Sequence, residues 1–372
     1  MRFLHTADWH IGKKLHGFDL TEEQDIAYQQ IRQLAIDEKV DAVVIAGDLY
    51  DRAIPNEKSV TQLDDMLIDL NLKQHFPVLA ISGNHDSATR LRTGSRWFKE
   101  TKYYLNTKFS QALTPVEFDD TQFFLLPYFE PFEARQYFED DRIRTAEAGM
   151  IKLMAAMQAK FDPNKKHVLV AHFFAAGSEH VDSETQVMVG GLNAIPVDLL
   201  APFDYVALGH LHGKDALHAD RVRYSGSPVK FSVSEANQQK GIWIVDTDPF
   251  KMTFKPLTPK RDVRVLENDF ETLTNPEFYQ QQKQDDYLAI RLTDKRVIPN
   301  VMQALREIYP NIIELERADG PVVTDTATAQ IDPTLDPMTL MTKFFEQTMA
   351  GEMTAQQQEW AENALTTANK ED

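Results

Sequence analysis

Five short apolar runs in this chain each end in side chains able to bind a cation. "RFLHTA" (2–7) is followed by Asp8 and His10, and "DAVVIA" (41–46) by Gly47, Asp48 and, slightly further on, Asp51. "PVLAIS" (77–82) runs into Gly83, Asn84, His85 and Asp86, "HVLVA" (167–171) into His172, and "YVAL" (205–208) into Gly209, His210 and His212. Continuous apolar runs rich in β-branched residues read as strands buried on both faces. In open α/β sheets the functional crevice lies beyond the carboxyl ends of the strands. If the five strands share one sheet system, all these groups face a single cleft.

The segments between the runs have helical character, so the expected fold class is α/β, with more strands in the later part. Residues 21–38 are predicted helical, with Thr21 as N-cap and Gln24 in the capping-box position. Residues 57–72 place Val60, Leu63, Leu67 and Leu70 on one helical face. Helices are also expected over 88–100 and 143–160, and strands at "VRYSG" (222–226), "GIWIVD" (241–246) and "KMTFKPL" (251–257).

A chain of 372 residues, 42% of them hydrophobic, has material for two or three units with large cores. No apolar stretch approaches the roughly 18 residues of a membrane span, so no membrane partner is expected. The N-terminus lacks a basic region followed by an apolar one, which argues against secretion. Cysteine is absent; that removes disulfides and thiolate metal sites and fits a cytoplasmic location. The formal net charge of -18 works against any strong autonomous grip on nucleic acid, since phosphate binding is mostly the work of Lys and Arg.

The chemistry that fits the strand ends is a pair of metal ions. Asp8, His10, Asp48, Asn84, His172, His210 and His212 supply two carboxylates, an amide oxygen and four imidazoles, with His85 held apart. That is too many ligands for one octahedral ion that must also admit substrate. Two ions sharing Asp48 would use them all and clamp both the attacking and the leaving oxygen of a phosphoryl transfer. Mixed nitrogen and oxygen donors without sulfur favour Mn²⁺, Fe or Zn. In extended backbone the residues of Asp-x-His and His-x-His point the same way, and the glycines at 47, 83 and 209 allow backbone close to metal or phosphate. Each motif alone has a plainer reading: a surface pair, a turn, a solvated loop. Their joint occurrence behind five apolar strands does not.

"DWH", "GDLYD", "GNHDS", "AH" (171–172) and "GHLH" resemble the ordered motifs of the calcineurin-like metallophosphoesterases. "LHTADWHIGKKL" (4–15), "DSETQVMVGG" (182–191), "FDYVALGHLH" (203–212) and "YSGSPVKFSVSE" (224–235) are further similar to the SbcD family of bacterial DNA-repair nuclease subunits. The resemblance covers about residues 1–265. It implies a calcineurin-like β-sandwich flanked by helices, with Asp8, His10, Asp48 and His212 on one metal and Asp48, Asn84, His172 and His210 on the other. It implies His85 as proton donor to the leaving oxygen or as a phosphate-orienting group, with Asp86 holding its other nitrogen. Asp51 reads as a supporting or turn residue. His5 reads as structural; His16, His75, His167, His180 and His218 are assigned surface or core roles, with the loop of His16 open to a DNA contact.

The activity so implied is that of a Mn²⁺-dependent DNA nuclease, 3′–5′ exonuclease on double strands and endonuclease on single strands. It would act with an SbcC-type ATPase, two copies of each chain, in end processing, hairpin cleavage, replication and recombination. Other dinuclear phosphoesterases, a phosphoprotein phosphatase or a cyclic-nucleotide phosphodiesterase, share the metal chemistry. A binding module with a relic site is a third class, disfavoured because no expected ligand is missing.

Beyond 265 the character changes. Residues 266–372 carry 8 Lys+Arg against 20 Asp+Glu. The expected organisation is a nuclease domain over 1–265, a small α/β capping domain over 266–320, a linker over 321–336 and a C-terminal helical pair over 337–372. In the cap, "DYLAIRL" (286–292), a helix near 299–309 and "NIIELER" (311–317) form a strand–helix–strand unit. The pair has Leu340, Met341, Phe344, Phe345 and Met349 on its first helix, and a capping box of Thr354 and Gln357 before Trp360, Ala364 and Leu365 on its second. It either docks on the ATPase partner or packs on its own domain. The Leu63, Leu67 and Leu70 stripe likewise is either core or part of a homodimer interface.

Overall fold

A computed structural model describes residues 1–179, 194–294, 296, 298–318, 336–349 and 353–371. His180, the 182–191 stretch and linker residues 321–335 lie outside the described residues. The chain divides into two compact units, Met1–Arg264 and Val265–Asp372.

The first unit's strands are β1 (Arg2–Thr6), the small hairpin β2 (Lys14–Leu15) and β3 (Phe18–Asp19), β4 (Ala42–Ile45), β5 (Val78–Ile81), β6 (Tyr103–Asn106), β7 (Val116–Glu117), β8 (Thr121–Leu126), β9 (Lys166–His172), β10 (Tyr205–Gly209), β11 (Val222–Tyr224), β12 (Gly241–Thr247) and β13 (Phe250–Pro256). Its helices are α1 (Thr21–Asp37), α2 (Glu57–Ile68), α3 (Ala88–Leu91), α4 (Ser95–Phe98), α5 (Pro131–Phe138) and α6 (Ala146–Gln158).

A six-stranded sheet runs β13-β12-β1-β4-β5-β6 and a five-stranded sheet β11-β10-β9-β8-β7. In the first, β1, β4, β5 and β6 are parallel, with Phe3 opposite Ala42 and Val43 opposite Val78. In the second, β8, β9, β10 and β11 are parallel. The sheets pack face to face through Phe3, Val44, Leu79 and Ile81 on one side and Phe123, Leu125, Val170 and Tyr205 on the other. Alternate residues of the same strands face outward. Leu4, Val43 and Ile45 meet Ile31 and Ala35 of α1 and Leu63 and Met66 of α2. Phe124, Leu169 and Leu208 meet Met150, Leu153 and Met157 of α6. Helices on both outer faces explain why the strands are apolar at every position. The calcineurin-like sandwich flanked by helices is the fold observed.

Several expectations change in detail. Thr21 does not cap α1: Leu20 occupies the cap position, and Asp19 Oδ1 accepts from Thr21 N at 2.8 Å instead. Val60 is 44% exposed, because the buried face of α2 is Ser59, Gln62, Leu63 and Met66. A π-helical turn over Asp69–Lys73 then changes the phase and buries Leu70. The helix expected over 88–100 is broken into α3, α4 and a 3₁₀ turn (Lys99–Thr101), with Gly94 between α3 and α4 at φ 82°. Strands β6 and β8 were not anticipated; "TQFFLL" is too short to separate strand from helix by period.

The second unit has a three-stranded sheet, β14 (Val263–Asn268), β15 (Tyr287–Leu292) and β16 (Ile312–Arg317), in that order, with β15 parallel to β16. Its short helices are α7 (Phe270–Thr274), α8 (Pro276–Tyr279) and α9 (Val301–Arg306), and Leu273, Leu288, Ile290, Leu305 and Tyr309 form the core. Strand β14 adds to the anticipated strand–helix–strand. Helices α10 (Pro337–Met349) and α11 (Ala355–Glu371) follow, and the Thr354–Gln357 capping box is formed, with Thr354 N donating to Gln357 Oε1 at 2.9 Å. Trp360 is 61% exposed. Among the described residues no helix is long and apolar enough to cross a membrane.

His5 ties the two sheets together. Its Nδ1 meets Tyr205 Oη at 2.9 Å and its Nε2 the Leu208 carbonyl at 3.2 Å, all buried. Burial lowers this ring to about 3, so it stays neutral, donating from Nε2 and accepting at Nδ1. Tyr205→Phe leaves Nδ1 without its donor and is expected to cost about 1–3 kcal/mol, read from the denaturant midpoint at constant slope.

Candidate metal centre

Every anticipated ligand lies at the carboxyl end of a parallel strand. Asp8 and His10 follow β1, Asp48 follows β4, Asn84 follows β5, His172 ends β9, and His210 and His212 follow β10. The two sheets meet at this edge. Asp8 N donates to Gly47 O (3.1 Å), His10 N to Asp48 O (2.9 Å), and His210 N to Asp8 Oδ1 (2.9 Å). Trp9 turns away into the core under α1, its Nε1 bonded to Thr6 Oγ1 at 3.0 Å, which leaves its neighbours facing the pocket.

The reason these side chains point together is not extended backbone. Asp8, His10 and Asp48 have φ of 54°, 44° and 50°, and His210 has φ 102°. Such conformations cost on the order of 1–3 kcal/mol each and persist where the surroundings impose them. Close approach is enforced as well. A Cβ on Gly83 would lie 2.1 Å from Asp48 Oδ1, and one on Gly209 2.0 Å from the Ala46 carbonyl.

Lone pairs converge in the pocket. His172 Nδ1 donates to the Ala46 carbonyl at 2.9 Å, which turns Nε2 to the pocket. That atom meets Asn84 Oδ1 at 2.9 Å and Asp48 Oδ2 at 3.3 Å. Asn84 Oδ1 also meets His210 Nδ1 at 3.0 Å. On the other side His10 Nε2 lies 3.1 Å from His212 Nε2 and 3.5 Å from Asp48 Oδ2. Asp8, His10 and His212 bring ligand atoms within 4.8 Å of one another, as do Asp8, Asp48 and His172. Oxygens and ring nitrogens this close repel unless a proton or another positive charge lies between them. Burial opposes charge on His172, yet Asp48 outweighs it and raises the ring to about 9. Burial pushes His210 down to about 3, and its buried Nε2 finds no hydrogen-bond partner among the described residues. A buried set of nitrogen and oxygen donors without sulfur fits divalent cations.

His85 sits beside this pocket, half-buried, its ring edge-on to His10 at 4.7 Å between centroids. Its amide donates to Asp48 Oδ1 (2.9 Å) and its Nδ1 to the Asp51 carbonyl (2.8 Å). Asp86 does not hold the imidazole, contrary to expectation. Its carboxylate accepts from the amides of Leu49, Tyr50 and Gly83 at 3.0–3.1 Å, which fixes the turns after β4 and β5 against each other. Burial and the charge of Asp48 push it up to about 7, against the pull of those amides. The 5.0 Å ring contact of His10 with His212 closes the floor.

Three supports were not anticipated. Gln24 Nε2 donates to the carbonyls of His10 (2.8 Å) and Trp9 (3.3 Å), so α1 clamps the first turn from behind. Lys13 Nζ binds Asp51 Oδ1 at 3.1 Å. His212 Nδ1 faces Glu235 Oε1 at 3.6 Å. None of the three ends a strand, so the pattern that exposed the ligands passes over them. His16, His75 and His218 are exposed, and His167 stacks on Phe161 at 3.8 Å, far from ligand duty.

The sequence profile of the calcineurin-like phosphoesterases matches residues 1–214, and that of the type 5 capsule protein repressor C-terminal domain matches residues 259–349. The SbcD subunit of the SbcCD nuclease of Staphylococcus epidermidis (strain ATCC 12228 / FDA PCI 1200) is 36% identical over 318 residues, 85% of this chain and 85% of that protein. Among solved structures, a Thermus thermophilus protein aligns at TM-score 0.40 and 14% identity over 68% of this chain and 98% of its own. The E. coli phosphoesterase Yfce aligns at 0.26 and 11% over 70% and 100%. Likeness that low carries no weight here.

Gly83→Ala drives a methyl into Asp48 and is expected to weaken manganese binding roughly 10- to 100-fold with the fold retained, the range seen when a ligand loses its support. Titration calorimetry beside circular dichroism measures it. Unchanged affinity would mean that Asp48 is no ligand.

Proposed function

Since the chain belongs to the calcineurin-like phosphoesterases, and within them to the SbcD family, it is a metal-dependent phosphodiesterase, and we propose that its substrate is DNA. The reading is a Mn²⁺-dependent nuclease, 3′–5′ exonuclease on duplexes and endonuclease on single strands, serving DNA end processing, hairpin cleavage, replication and recombination. The observation that carries it is the meeting of lone pairs from both sheets around Asp48, with His85 anchored beside them. Family membership implies a dinuclear divalent-metal site, which the Asp/His clusters fit.

In this reading Asp8, His10, Asp48 and His212 hold one ion and Asp48, Asn84, His172 and His210 the other. Bound there, two divalent ions supply Lewis acidity to a phosphodiester and acidify water at neutral pH. The protein's own contribution begins with His85. Its Nδ1–H is taken by the Asp51 carbonyl, so Nε2 is the atom that exchanges a proton with the leaving oxygen. Asp86 holds the turn that carries it. The strained turns at Asp8, Asp48 and His210 hold the ligands ready, so little reorganisation accompanies the reaction.

An SbcC-type ATPase is the proposed partner in a cytoplasmic assembly of two copies of each chain. The relative's name places that protein in the SbcCD complex. The acidic second unit, divided as a capping domain (266–320) and helices (337–372) joined by a linker (321–336), would supply the docking helices, since Trp360 is exposed. A homodimer is proposed through a groove of about 450 Å³ that includes Val60, Leu67, Leu72, Trp97 and Phe98, with Trp97 79% exposed. The net charge of -18 leaves duplex grip to the partner.

Digestion of linear duplex and single-stranded DNA with manganese, with and without the ATPase, tests the assignment. His85→Gln is expected to lose cleavage by on the order of 10²- to 10⁴-fold while still binding metal, whereas Asp48→Ala loses both. Unchanged cleavage by His85→Gln removes its acid role. Hydrolysis of a phosphoprotein or cyclic nucleotide in place of DNA would overturn the substrate. Light scattering of the isolated chain at micromolar concentration is expected to show a dimer that Trp97→Glu dissociates; monomer mass alone for the wild type would rule the groove out.

A further inference from the structure

Behind His212 lies a buried charged cluster. Glu235 is fully buried, and its Oε1 accepts from Phe231 N at 3.1 Å and Ser232 Oγ at 3.1 Å. Its Oε2 pairs with Lys240 Nζ at 2.5 Å. Lys240, buried too, donates to the His212 carbonyl (2.8 Å), Ser227 Oγ (2.9 Å) and Gln238 Oε1 (2.8 Å). The amide of Ser227 donates to the same His212 carbonyl at 3.1 Å. Gly226, at φ 75°, has no room for a side chain, since its Cβ would lie 2.6 Å from that oxygen. Three elements of the 224–240 segment thus converge on one residue, His212.

A buried Glu–Lys pair is a poor way to gain stability, because apolar replacements of similar size are often as stable or more so. What this pair provides is direction. His212 turns Nε2 to His10, at 3.1 Å, and its Nδ1 to Glu235. At 3.6 Å the Nδ1–Oε1 contact is electrostatic, and about half an ångström of closure makes it a hydrogen bond. His172 by contrast gives its Nδ1 proton to a peptide carbonyl, Ala46 O at 2.9 Å, with Asp8 Oδ1 further off at 4.0 Å. The two rings are therefore held by different chemistry: a carboxylate paired with a lysine faces His212 Nδ1, and a peptide carbonyl holds His172 Nδ1.

We propose that Glu235 is the positioning residue of His212: it accepts from the Nδ1–H, turns the Nε2 lone pair into the Asp8/His10 half of the centre, and with Lys240 makes that half the tighter cation site. The carboxylate enriches the imidazole it backs, and Lys240 neutralises the carboxylate while clamping the carbonyl of the same histidine. Asn84, His172 and His210, which would hold the other ion, make no hydrogen bond or ion pair with Glu235 or Lys240 among the contacts described. The inference rests on the two-ion reading above.

Titration calorimetry of the full chain with Mn²⁺, with electron paramagnetic resonance to follow spin coupling between the ions, tests it. Wild type is expected to take up two ions with unequal affinity. Glu235→Gln, which keeps size and one acceptor oxygen, is expected to weaken the tighter event roughly 10- to 100-fold and the other less than about twofold, and to abolish the coupled signal at low metal. Two unaltered events in Glu235→Gln, or equal weakening of both, overturn the proposal, the second because a merely structural role would do the same. If that variant fails to fold, Glu235→Gln/Lys240→Met, which removes both buried charges together, is titrated and judged by the same outcomes. A wild type that bound one ion or none would defeat the two-ion reading itself, and this inference with it.

Discussion

Asp48 is a carboxylate with 2% of its surface exposed, at the line where two β-sheets meet. Its oxygens touch His10, His172 and the amide of His85. A buried charge of this kind is tolerated only if opposite charge or strong donors surround it. The demand organises the site, because each neighbour must come within van der Waals range of one atom group from a different strand. Hence the turn at residue 83 admits no side chain, and the chain after β1, β4 and β10 passes through conformations that ordinary residues avoid.

Strain at four residues requires a rigid support. The sandwich supplies it. Each strand that carries a ligand is buried on both faces, so the turns at its end cannot relax without opening a core. The His5–Tyr205 contact joins the strand bearing Asp8 to the strand bearing His210 inside that core. Gln24 adds a clamp from α1, and Asp86 adds one between the second and third turns.

Charge is distributed with the same logic. The acidic excess lies mostly in residues 266–372, while the sandwich that bears the centre is near balance. Inside the centre the imidazoles are not equivalent, since one is backed by a carboxylate with its lysine and another by a peptide oxygen. Two cations held there would sit in unlike surroundings, which suits a reaction in which one oxygen attacks and another departs.

The candidate ligands were legible in the sequence because a strand end is a short, local signal: an apolar run, often a glycine, then Asp, Asn or His. So were the α/β class and most strands, whose apolar character follows from helices on both outer faces. The broken helix over 88–100, the exposure of Val60, and strands β6 and β8 were not, because short apolar segments have no decisive period and a π-turn changes phase without a sequence mark. The stretch from 1 to 265 thus determined by itself which side chains can hold a cation. Only the tertiary structure decided how they are held: Asp86 on three amides rather than on His85, left-handed turns rather than extended ones, Glu235 beneath a histidine that lies well before it in the chain. Those are contacts between residues distant in sequence, and their energies depend on burial and on distances that no local pattern encodes.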